Sequence, residues 1–225
     1  MPAAFITGTG TGVGKTFVAT GLIEHYRRIG QPADALKPLV SGFDQAAPSG
    51  SDPALLLQAL GSEVTSDRLQ RISPWRFRAP LSPDMAARAE GRAIDFQAVA
   101  DFCRAAIAKT EGTLLIEGIG GIMVPLDERR TVLDLILALR LPVILVAGSY
   151  LGTISHILSA QDVISGRSLD LRAIVISESE STPPPFDETF VTLSNFGKAP
   201  LIGLRRQTSG AQNGKEFQRL AELIA

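Results

Sequence analysis

Residues 8–16 of the chain read GTGTGVGKT, and this stretch decides the fold. An apolar run, Ala3 to Ile6, precedes it and an amphipathic segment, Phe17 to Arg28, follows it, which predicts a strand, a glycine-rich turn and a helix. Glycine tolerates backbone angles that point several consecutive N–H groups into one concavity, and the helix start adds the positive end of its dipole. The stretch therefore predicts a phosphate-binding loop, in which Lys15 supplies a cation and Thr16 a hydroxyl for Mg²⁺.

The loop is one residue longer than the usual phosphate-binding pattern. That pattern would place its first glycine at the position of Thr9, whereas Gly8 lies one residue earlier. A glycine-rich β-turn that binds nothing is the alternative interpretation, but the flanking strand and helix favour phosphate binding.

The length and composition predict a single domain, residues 1–225, that acts on small molecules. Its 225 residues, of which 45% are hydrophobic, suffice for a continuous buried core. A net charge of −1 argues against a nucleic-acid partner or an anionic membrane surface. The most apolar window, Val132 to Gly148, is interrupted by charged residues and a proline, so we expect no membrane span and a cytoplasmic location.

The cysteine and histidine content argues against a metal site built from these residues. Cys103 is the single cysteine, which excludes an intrachain disulfide, and we expect it to pack within a helix. Neither His25 nor His156 has a second histidine or cysteine at ligand spacing.

Short strands alternate with helical segments along the rest of the chain. Loops are expected at Leu39–Gly50 and, as an ordered surface excursion, at Arg71–Pro83. The alternation predicts an α/β fold, a doubly wound parallel sheet like that of P-loop nucleoside triphosphatases, with helices on both faces and ligands at the carboxyl ends of the strands. The strands after the first are predicted at Ala33–Leu36, Thr113–Ile116, Pro142–Val146, Ala173–Ile176 and Leu201–Ile202.

Charged and hydroxyl side chains follow several of these predicted strands, so they are expected to meet at one edge of the sheet. Glu117 ends an apolar run, the position from which a nucleoside triphosphatase holds Mg²⁺. Lys37 and Ser41 follow the second strand, and a second lysine beside a triphosphate suits transfer of the γ-phosphoryl group to an incoming anion. Asp52 precedes a proline and a helical segment, and its spacing alone favours a helix N-cap.

In their order and spacing these segments resemble the dethiobiotin synthetase family, ATP-dependent enzymes that close the ureido ring in biotin synthesis. The resemblance covers nearly the whole chain. It rests on the lengthened loop and on the segments KPLVSG at 37–42, Ser51-Asp52, APLSPDMAA at 79–87, EGIGG at 117–121 and PVILVAGSYLGTISH at 142–156.

The resemblance implies an enzyme that converts 7,8-diaminononanoate and CO₂ into dethiobiotin with ATP and Mg²⁺, through a carbamate and a carbamic-phosphoric anhydride. It implies catalytic roles for Lys37, Lys15 and Thr11, and a substrate contact for Ser41. The implied Mg²⁺ ligands are Thr16, Asp52 and Glu117, and the implied nucleotide-binding residues are Gly12, Val13, Gly14, Lys15, Thr16, Asp52, Glu117, Gly118, Ile119 and Gly120.

The family is also homodimeric, with its active site near the subunit boundary. A helix is predicted to begin at Thr153, and the first turn of a helix offers free N–H groups to a carboxylate. We therefore predict that Gly152, Thr153 and Ser155 of one subunit bind the carboxylate tail of a substrate held mainly by the other.

Some positions depart from the family pattern. Ser177 and Glu178 stand where many relatives have an Asn-Asp pair that reads adenine, and without the asparagine amide a paired hydrogen bond to the base is lost. Arg205 and Arg206 follow the last predicted strand, where a guanidinium could stack on the base instead. We therefore predict that nucleotide selectivity is relaxed. Asp84 replaces a common histidine, with no predicted role.

Three other functions stay open at this point. A partitioning-type ATPase that uses nucleotide as a dimerisation switch carries a signature lysine that would fall at Gly10, so its absence argues against that class. A ligase of the cobyric acid synthase type needs a further domain with a nucleophilic cysteine. A catalytically idle relative is compatible with Asp84 and the altered adenine pair.

Overall fold

The structure is a computed structural model that describes residues 2–180, 184–206 and 213–225. The strands are β1 (Ala3–Gly8), β2 (Ala33–Leu36), β3 (Leu39–Val40), β4 (Trp75–Arg76), β5 (Thr113–Glu117), β6 (Val143–Gly148), β7 (Leu171–Ser177) and β8 (Leu201–Leu204). The α-helices are α1 (Lys15–Arg28), α2 (Asp52–Ala59), α3 (Ser66–Ile72), α4 (Pro83–Ala89), α5 (Phe96–Lys109), α6 (Val132–Leu139), α7 (Thr153–Gly166), α8 (Phe186–Ser194) and α9 (Gly214–Ile224).

A six-stranded sheet in the order β2-β5-β1-β6-β7-β8 forms the centre of the molecule. All five pairings in this sheet are parallel, which confirms the predicted parallel α/β fold. The chain runs outward from β1 to β2, returns to β5 and then crosses to β6 on the other side of β1. In sheets of this kind ligands bind outside the carboxyl end of the strand where the order reverses, which here is β1 and the loop that follows it.

Helices cover both faces of this sheet. Successive side chains of a strand point to opposite faces, and every residue of β1, β5 and β6 is buried. Strands of this kind are near-continuous apolar runs, as in Val143–Gly148. Helix α1 packs against α2 and α9, and α5 packs against α6.

A second, two-stranded sheet was not predicted. Strands β3 and β4 pair in parallel, and the pairing continues in the hydrogen bonds from Phe77 N–H to the Val40 carbonyl at 2.9 Å and from Gly42 N–H to the Ala79 carbonyl at 3.1 Å. The loop predicted over Leu39–Gly50 and the excursion predicted over Arg71–Pro83 are therefore wrong where they cover β3, β4 and the end of α3. Two-residue strands paired across more than thirty residues leave no local pattern to read.

Among the described ranges, no helix is both long and apolar enough to cross a membrane. The single domain over residues 1–225 and the cytoplasmic location stay predictions.

Candidate active site

The loop after β1 is shaped by a glycine at the start of α1. Gly14 is the N-cap residue of this helix and has φ of 97°, a left-handed conformation that favours glycine. A Cβ atom at this position would lie 2.5 Å from Ser177 Oγ, so the end of β7 packs directly on the loop. The structure thus brings Ser177, a predicted nucleotide-binding residue, next to the predicted phosphate site.

Lys15 is the first residue of α1, and its ammonium is held by the loop itself. The residue is 6% exposed, and Nζ donates a hydrogen bond to the Gly10 carbonyl at 2.7 Å. Burial, and then the nearby charge of Lys37, lower the pKa of Lys15 from 10.5 to about 8, because Glu117 and Asp52 offset them only in part. The two lysines are therefore close enough to repel each other.

Lys37 follows β2 and is almost fully buried. Its Nζ donates to Glu117 Oε1 at 2.5 Å and to the Gly118 carbonyl at 2.8 Å, and it lies 3.0 Å from Asp52 Oδ2. Burial alone would lower the pKa of Lys37, but the charges and hydrogen bonds of the two carboxylates outweigh it and raise that pKa. Lys37 is therefore a charged ammonium inside the protein.

The three predicted Mg²⁺ ligands converge beside Lys37. Thr16 Oγ1 lies 2.9 Å from Asp52 Oδ1 and 2.9 Å from Glu117 Oε1. The N-cap role that spacing alone favoured for Asp52 is wrong, because Ser51 is the N-cap of α2 and Asp52 is the first helical residue. The Asp52 carboxylate is thus directed into this cluster.

The two carboxylates of the cluster differ in their surroundings. The side chain of Glu117 is 1% exposed and that of Asp52 is 41% exposed. Burial raises the pKa of Glu117, although Lys37 opposes the shift. For Asp52, burial acts in the same direction but is outweighed by Lys37 and by a hydrogen bond from Thr16, so the pKa is lowered.

The residues of this cluster fit a magnesium ion. Glu117 Oε2 is buried without a hydrogen-bond partner, so it retains the capacity to bind a cation or its water. Carboxylate and hydroxyl oxygens are the ligands that Mg²⁺ prefers, and it usually keeps several waters and takes substrate phosphates as further ligands. Within the described part of the chain no group of three or more His, Cys, Asp or Glu side chains could hold a metal by itself, so the remaining ligands would come from the nucleotide and water.

One cavity of about 780 Å³ joins most of the predicted site residues. Lys15 and Lys37 both line it, and Ser41 lies in its wall next to the end of β3. The remaining predicted residues in its lining are Thr11, Gly12, Gly14, Thr16, Asp52, Glu117, Ile119 and Gly120.

Part of the cavity wall was not predicted as site residues. It is formed by the turn before α4 and by two valines: Val40, Pro80, Leu81, Ser82, Pro83 and Val124. The segment 79–87 had been singled out by family resemblance, and the pairing of β3 with β4 explains why it reaches the site. Asp84, in the first turn of α4, accepts from Ser82 Oγ at 2.6 Å and pairs with Arg88.

The residues predicted on the base side lie at the ends of the adjacent strands β7 and β8. The Glu178 carboxylate accepts from Arg206 N–H at 2.9 Å, and Oε1 lies 3.7 Å from Arg205 Nη1. The Arg205 guanidinium is stacked over the Phe186 ring, 4.6 Å from its centroid, and pairs with Asp187. In this structure, therefore, the guanidinium predicted to stack on a base stacks on an aromatic side chain.

At the start of α7, Gly152 is the N-cap with φ of 95°. Gly152 and Ser155 are exposed, whereas Thr153 is fully buried. Thr153 N–H donates to the Tyr150 carbonyl at 3.0 Å and its hydroxyl donates to the Gly148 carbonyl at 2.6 Å. Thr153 therefore stabilises the turn, and the carboxylate contact predicted here depends on the exposed part of the first turn.

Two predicted nucleotide-binding residues lie just outside the cavity lining. Val13 is buried, with Cγ2 3.0 Å from the position that a Cβ atom of Gly8 would take. Gly118 contributes its carbonyl to Lys37, and a side chain at this position would meet the Phe5 ring. Gly118 therefore supports Lys37, which lines the cavity, whereas Val13 packs against the start of the loop.

The sequence comparisons match the chain over most of its length. A family model described as an AAA domain matches residues 3–204. The chain is 49% identical over 202 residues to the ATP-dependent dethiobiotin synthetase of Acidiphilium cryptum, covering 89% of this chain and 91% of that protein. It is 36% identical over 202 residues to the ATP-dependent dethiobiotin synthetase of Legionella pneumophila, covering 90% and 92%.

Solved structures support the fold alone. The signal recognition particle receptor FtsY from Elizabethkingia anophelis matches with a TM-score of 0.55 and 14% sequence identity, over 99% of this chain and 65% of that one. The assignment to a family rests on the sequence relatives. The chain therefore belongs to the family of ATP-dependent dethiobiotin synthetases, which confirms the family and the class of ATP-dependent ligase predicted from the sequence.

Proposed function

We propose that this chain forms the ureido ring of dethiobiotin from 7,8-diaminononanoate, CO₂ and ATP. The observation that carries the proposal is the pair of ammonium groups, Lys15 and Lys37, that line one cavity with Thr16, Asp52 and Glu117. A loop cation next to β1 suits the phosphates of ATP, and a second, buried cation beyond the neighbouring strand suits a substrate anion that approaches the same phosphoryl group.

In the proposed reaction an amine of the substrate adds to CO₂ and loses a proton, which gives a carbamate. A carbamate oxygen attacks the γ-phosphorus and ADP leaves, so that a carbamic-phosphoric anhydride forms. The second amine then attacks the carbonyl carbon, phosphate leaves and the ring closes. Lys15 and Lys37 stabilise the carbamate and the transferred phosphoryl group. Ser41 orients the diamine, and Thr11, in the loop, is the third catalytic residue of the proposal.

Magnesium is part of the proposal. Thr16, Asp52 and Glu117 would hold the ion. This assignment is supported by Glu117 Oε2, which is buried and, among the described residues, has no hydrogen-bond partner of its own. When bound, it would neutralise the charge that develops on the leaving diphosphate.

A homodimer is proposed as the active form, in which the first turn of α7 in one subunit binds the carboxylate tail of the substrate in the other. Leu151, directly before this turn, is 82% exposed and would be covered by such a subunit contact. Full activity in a protein that is monomeric by analytical ultracentrifugation would contradict this arrangement.

Relaxed nucleotide selectivity is also proposed, because Ser177 and Glu178 stand where many relatives have an Asn-Asp pair, and the single serine oxygen lacks the separate donor and acceptor atoms with which an asparagine amide makes paired hydrogen bonds to a base. Initial rates with ATP, CTP, GTP and UTP at equal concentration are expected to lie within about one order of magnitude, the discrimination that one hydrogen bond supplies. An exclusive preference for ATP would refute this part of the proposal.

The deciding experiment incubates the protein with diaminononanoate, bicarbonate, Mg²⁺ and ATP and looks for the ring-closed product by mass spectrometry. Nucleotide hydrolysis without that product would favour an ATPase switch, and neither product nor hydrolysis would indicate an idle relative. Lys37→Ala tests the second cation. ATP binding should stay near the wild-type level while ring closure collapses, whereas near-normal turnover would remove Lys37 from the mechanism.

A further inference from the structure

Tyr150 lies between the phosphate-binding loop and α7, within the segment 142–156 but without a predicted role. Its hydroxyl is 3.4 Å from Thr9 Oγ1 and 3.0 Å from His156 Nδ1. A tyrosine hydroxyl has one hydrogen to donate and lone pairs to accept, and a threonine hydroxyl can also do both. The Tyr150 hydroxyl can therefore form hydrogen bonds with Thr9 and His156 at the same time.

Thr9 is the residue at which the loop exceeds the usual pattern, and it is packed from two directions. A Cβ atom on Gly121 would lie 3.0 Å from the Thr9 carbonyl oxygen, so the segment after β5 rests on its backbone. Thr9 N–H donates to the Val146 carbonyl at 2.9 Å, which holds it to the end of β6. The side chain of Thr9 is left to contact Tyr150.

The position of Thr9 bears on the position of Lys15. The carbonyl that accepts the Lys15 ammonium belongs to Gly10, the residue after Thr9. A displacement of Thr9 therefore moves the acceptor of the loop cation.

The backbone of Tyr150 is tied to the start of α7 as well. Its carbonyl accepts from Thr153 N–H at 3.0 Å, and the Gly148 position has no room for a side chain next to the Tyr150 ring, because a Cβ atom there would lie 3.1 Å from Cδ1. The ring of His156 is 5.7 Å from that of Tyr150, centroid to centroid. Tyr150 is thereby fixed to α7 at both its main chain and its hydroxyl.

We propose that Tyr150 is a positioning residue that holds the lengthened loop, through Thr9, in register with α7 and so places Lys15 for the triphosphate. That the loop binds the triphosphate rests on the proposed function, whereas the ordering of the loop by Tyr150 does not. Contacts from α7 to Tyr150, from Tyr150 to Thr9 and from Gly10 to Lys15 form one contiguous chain between the two ligand-binding elements.

Tyr150→Phe removes only the hydroxyl, and Thr9→Val removes its partner. Each change is expected to weaken the binding of a non-hydrolysable ATP analogue, measured by calorimetry, by about fivefold, the effect of one net hydrogen bond. Because both changes break one contact, the double variant should bind no more weakly than either single variant. Tyr26→Phe is the matched control, since Tyr26 is the only other tyrosine and is buried in α1.

Hydrogen exchange separates positioning from general weakening of the fold. In Tyr150→Phe the amides of residues 9–16 should exchange about fivefold faster, whereas those of β6 and the global unfolding midpoint stay at wild-type values. Unchanged exchange and unchanged analogue affinity in Tyr150→Phe, or additive losses in the double variant, would overturn the proposal. If the wild type forms no ring-closed product, the proposed function fails, but these two measurements still decide the role of Tyr150.

Discussion

Replacing Lys37 by methionine tests how the buried cluster is held together. Methionine keeps most of the volume of the lysine side chain but removes the ammonium that lies 2.5 Å from Glu117 Oε1 and 3.0 Å from Asp52 Oδ2. Two carboxylates are then left beside each other in the wall of the cavity. The expected result is a large loss of stability in addition to the loss of ring closure.

The size of that loss follows from the exposure of each carboxylate. Removing one partner of a buried ion pair costs about 3–5 kcal/mol, and the side chain of Glu117 is 1% exposed. The side chain of Asp52 is 41% exposed, so water screens its charge and its share is about 0–1 kcal/mol. Glu117 can also take up a proton, which limits the loss, and we expect about 3 kcal/mol. For a domain of this size that corresponds to a drop in Tm of roughly 6–12 °C.

The loss should also depend on pH. Without the ammonium, the pKa of Glu117 in the folded variant rises further above its ordinary value. At a pH between the ordinary pKa of the unfolded chain and this raised pKa, the folded variant therefore binds more protons than the unfolded chain. Stability then falls as pH rises through the folded pKa. Relative to wild type, Lys37→Met should therefore be less destabilised at about pH 5.5 than at about pH 8.

Urea denaturation at both pH values measures the effect, and Glu117→Gln completes a double-mutant cycle. The double variant Lys37→Met/Glu117→Gln should recover about 2 kcal/mol relative to the sum of the single changes. Lys15→Met is the matched control, because among the described residues the Lys15 ammonium forms no ion pair and donates only to the Gly10 carbonyl. It should cost less than about 1 kcal/mol. Equal stability of Lys37→Met and wild type at about pH 8, with no coupling to Glu117, would refute the reasoning.

Three further outcomes are expected. Gly14→Ala should weaken ATP binding at least tenfold in calorimetry, because φ is 97° and the new methyl group would lie 2.5 Å from Ser177 Oγ. Gly10→Ala is the control, since the nearest atom to its methyl group would be 3.9 Å away, and its loss of ATP binding should be well under tenfold. Burial and a neighbouring guanidinium lower the pKa of His25, so its unfolded form binds more protons and stability should fall as pH drops below 6.5. In urea titrations His25→Asn should lose less stability than wild type between about pH 7 and pH 5, and an equal loss would contradict this assignment. Burial raises the pKa of Cys103 to about 12, so a disulfide reagent should label it only after unfolding, and rapid native labelling would show that α5 opens readily.

The parts of the fold that depend on local pattern could be predicted. The bounds predicted for β2 are those observed, because Pro38 cannot donate to a ladder and ends the strand. Strands β3 and β4 could not be predicted, since they exist only through pairing with each other. Helix α3 was missed because its sequence, SDRLQRI, has few apolar residues, although Thr65 accepts from Arg68 N–H as an N-cap.

The sequence could predict which side chains of the site lie close together, but not which of them form ion pairs. Strand ends alone indicated that Lys37 and Glu117 meet at one edge of the sheet, and the structure places them 2.5 Å apart. Spacing alone did not indicate that Asp52 joins this ion pair, because Asp52 is the first residue of α2 and not the predicted N-cap. Ser51 and Asp52 are both good N-cap residues, so sequence alone does not distinguish them.

The ladder of β3 and β4 joins residues 37–43 to residues 72–79 in a sheet separate from the central one. Lys37 N–H donates to the Ile72 carbonyl at 3.0 Å and Phe43 N–H to the Phe77 carbonyl at 2.9 Å, whereas Lys15 follows β1, which is paired with β5 and β6 in the sheet centre. A local opening of residues 66–83 would break this ladder, while the Lys37 ammonium stays bound to Glu117 and the Gly118 carbonyl at the edge of the central sheet. Under mild denaturing stress the molecule should thus lose the part of the cavity wall formed by residues 80–83 before either lysine is displaced.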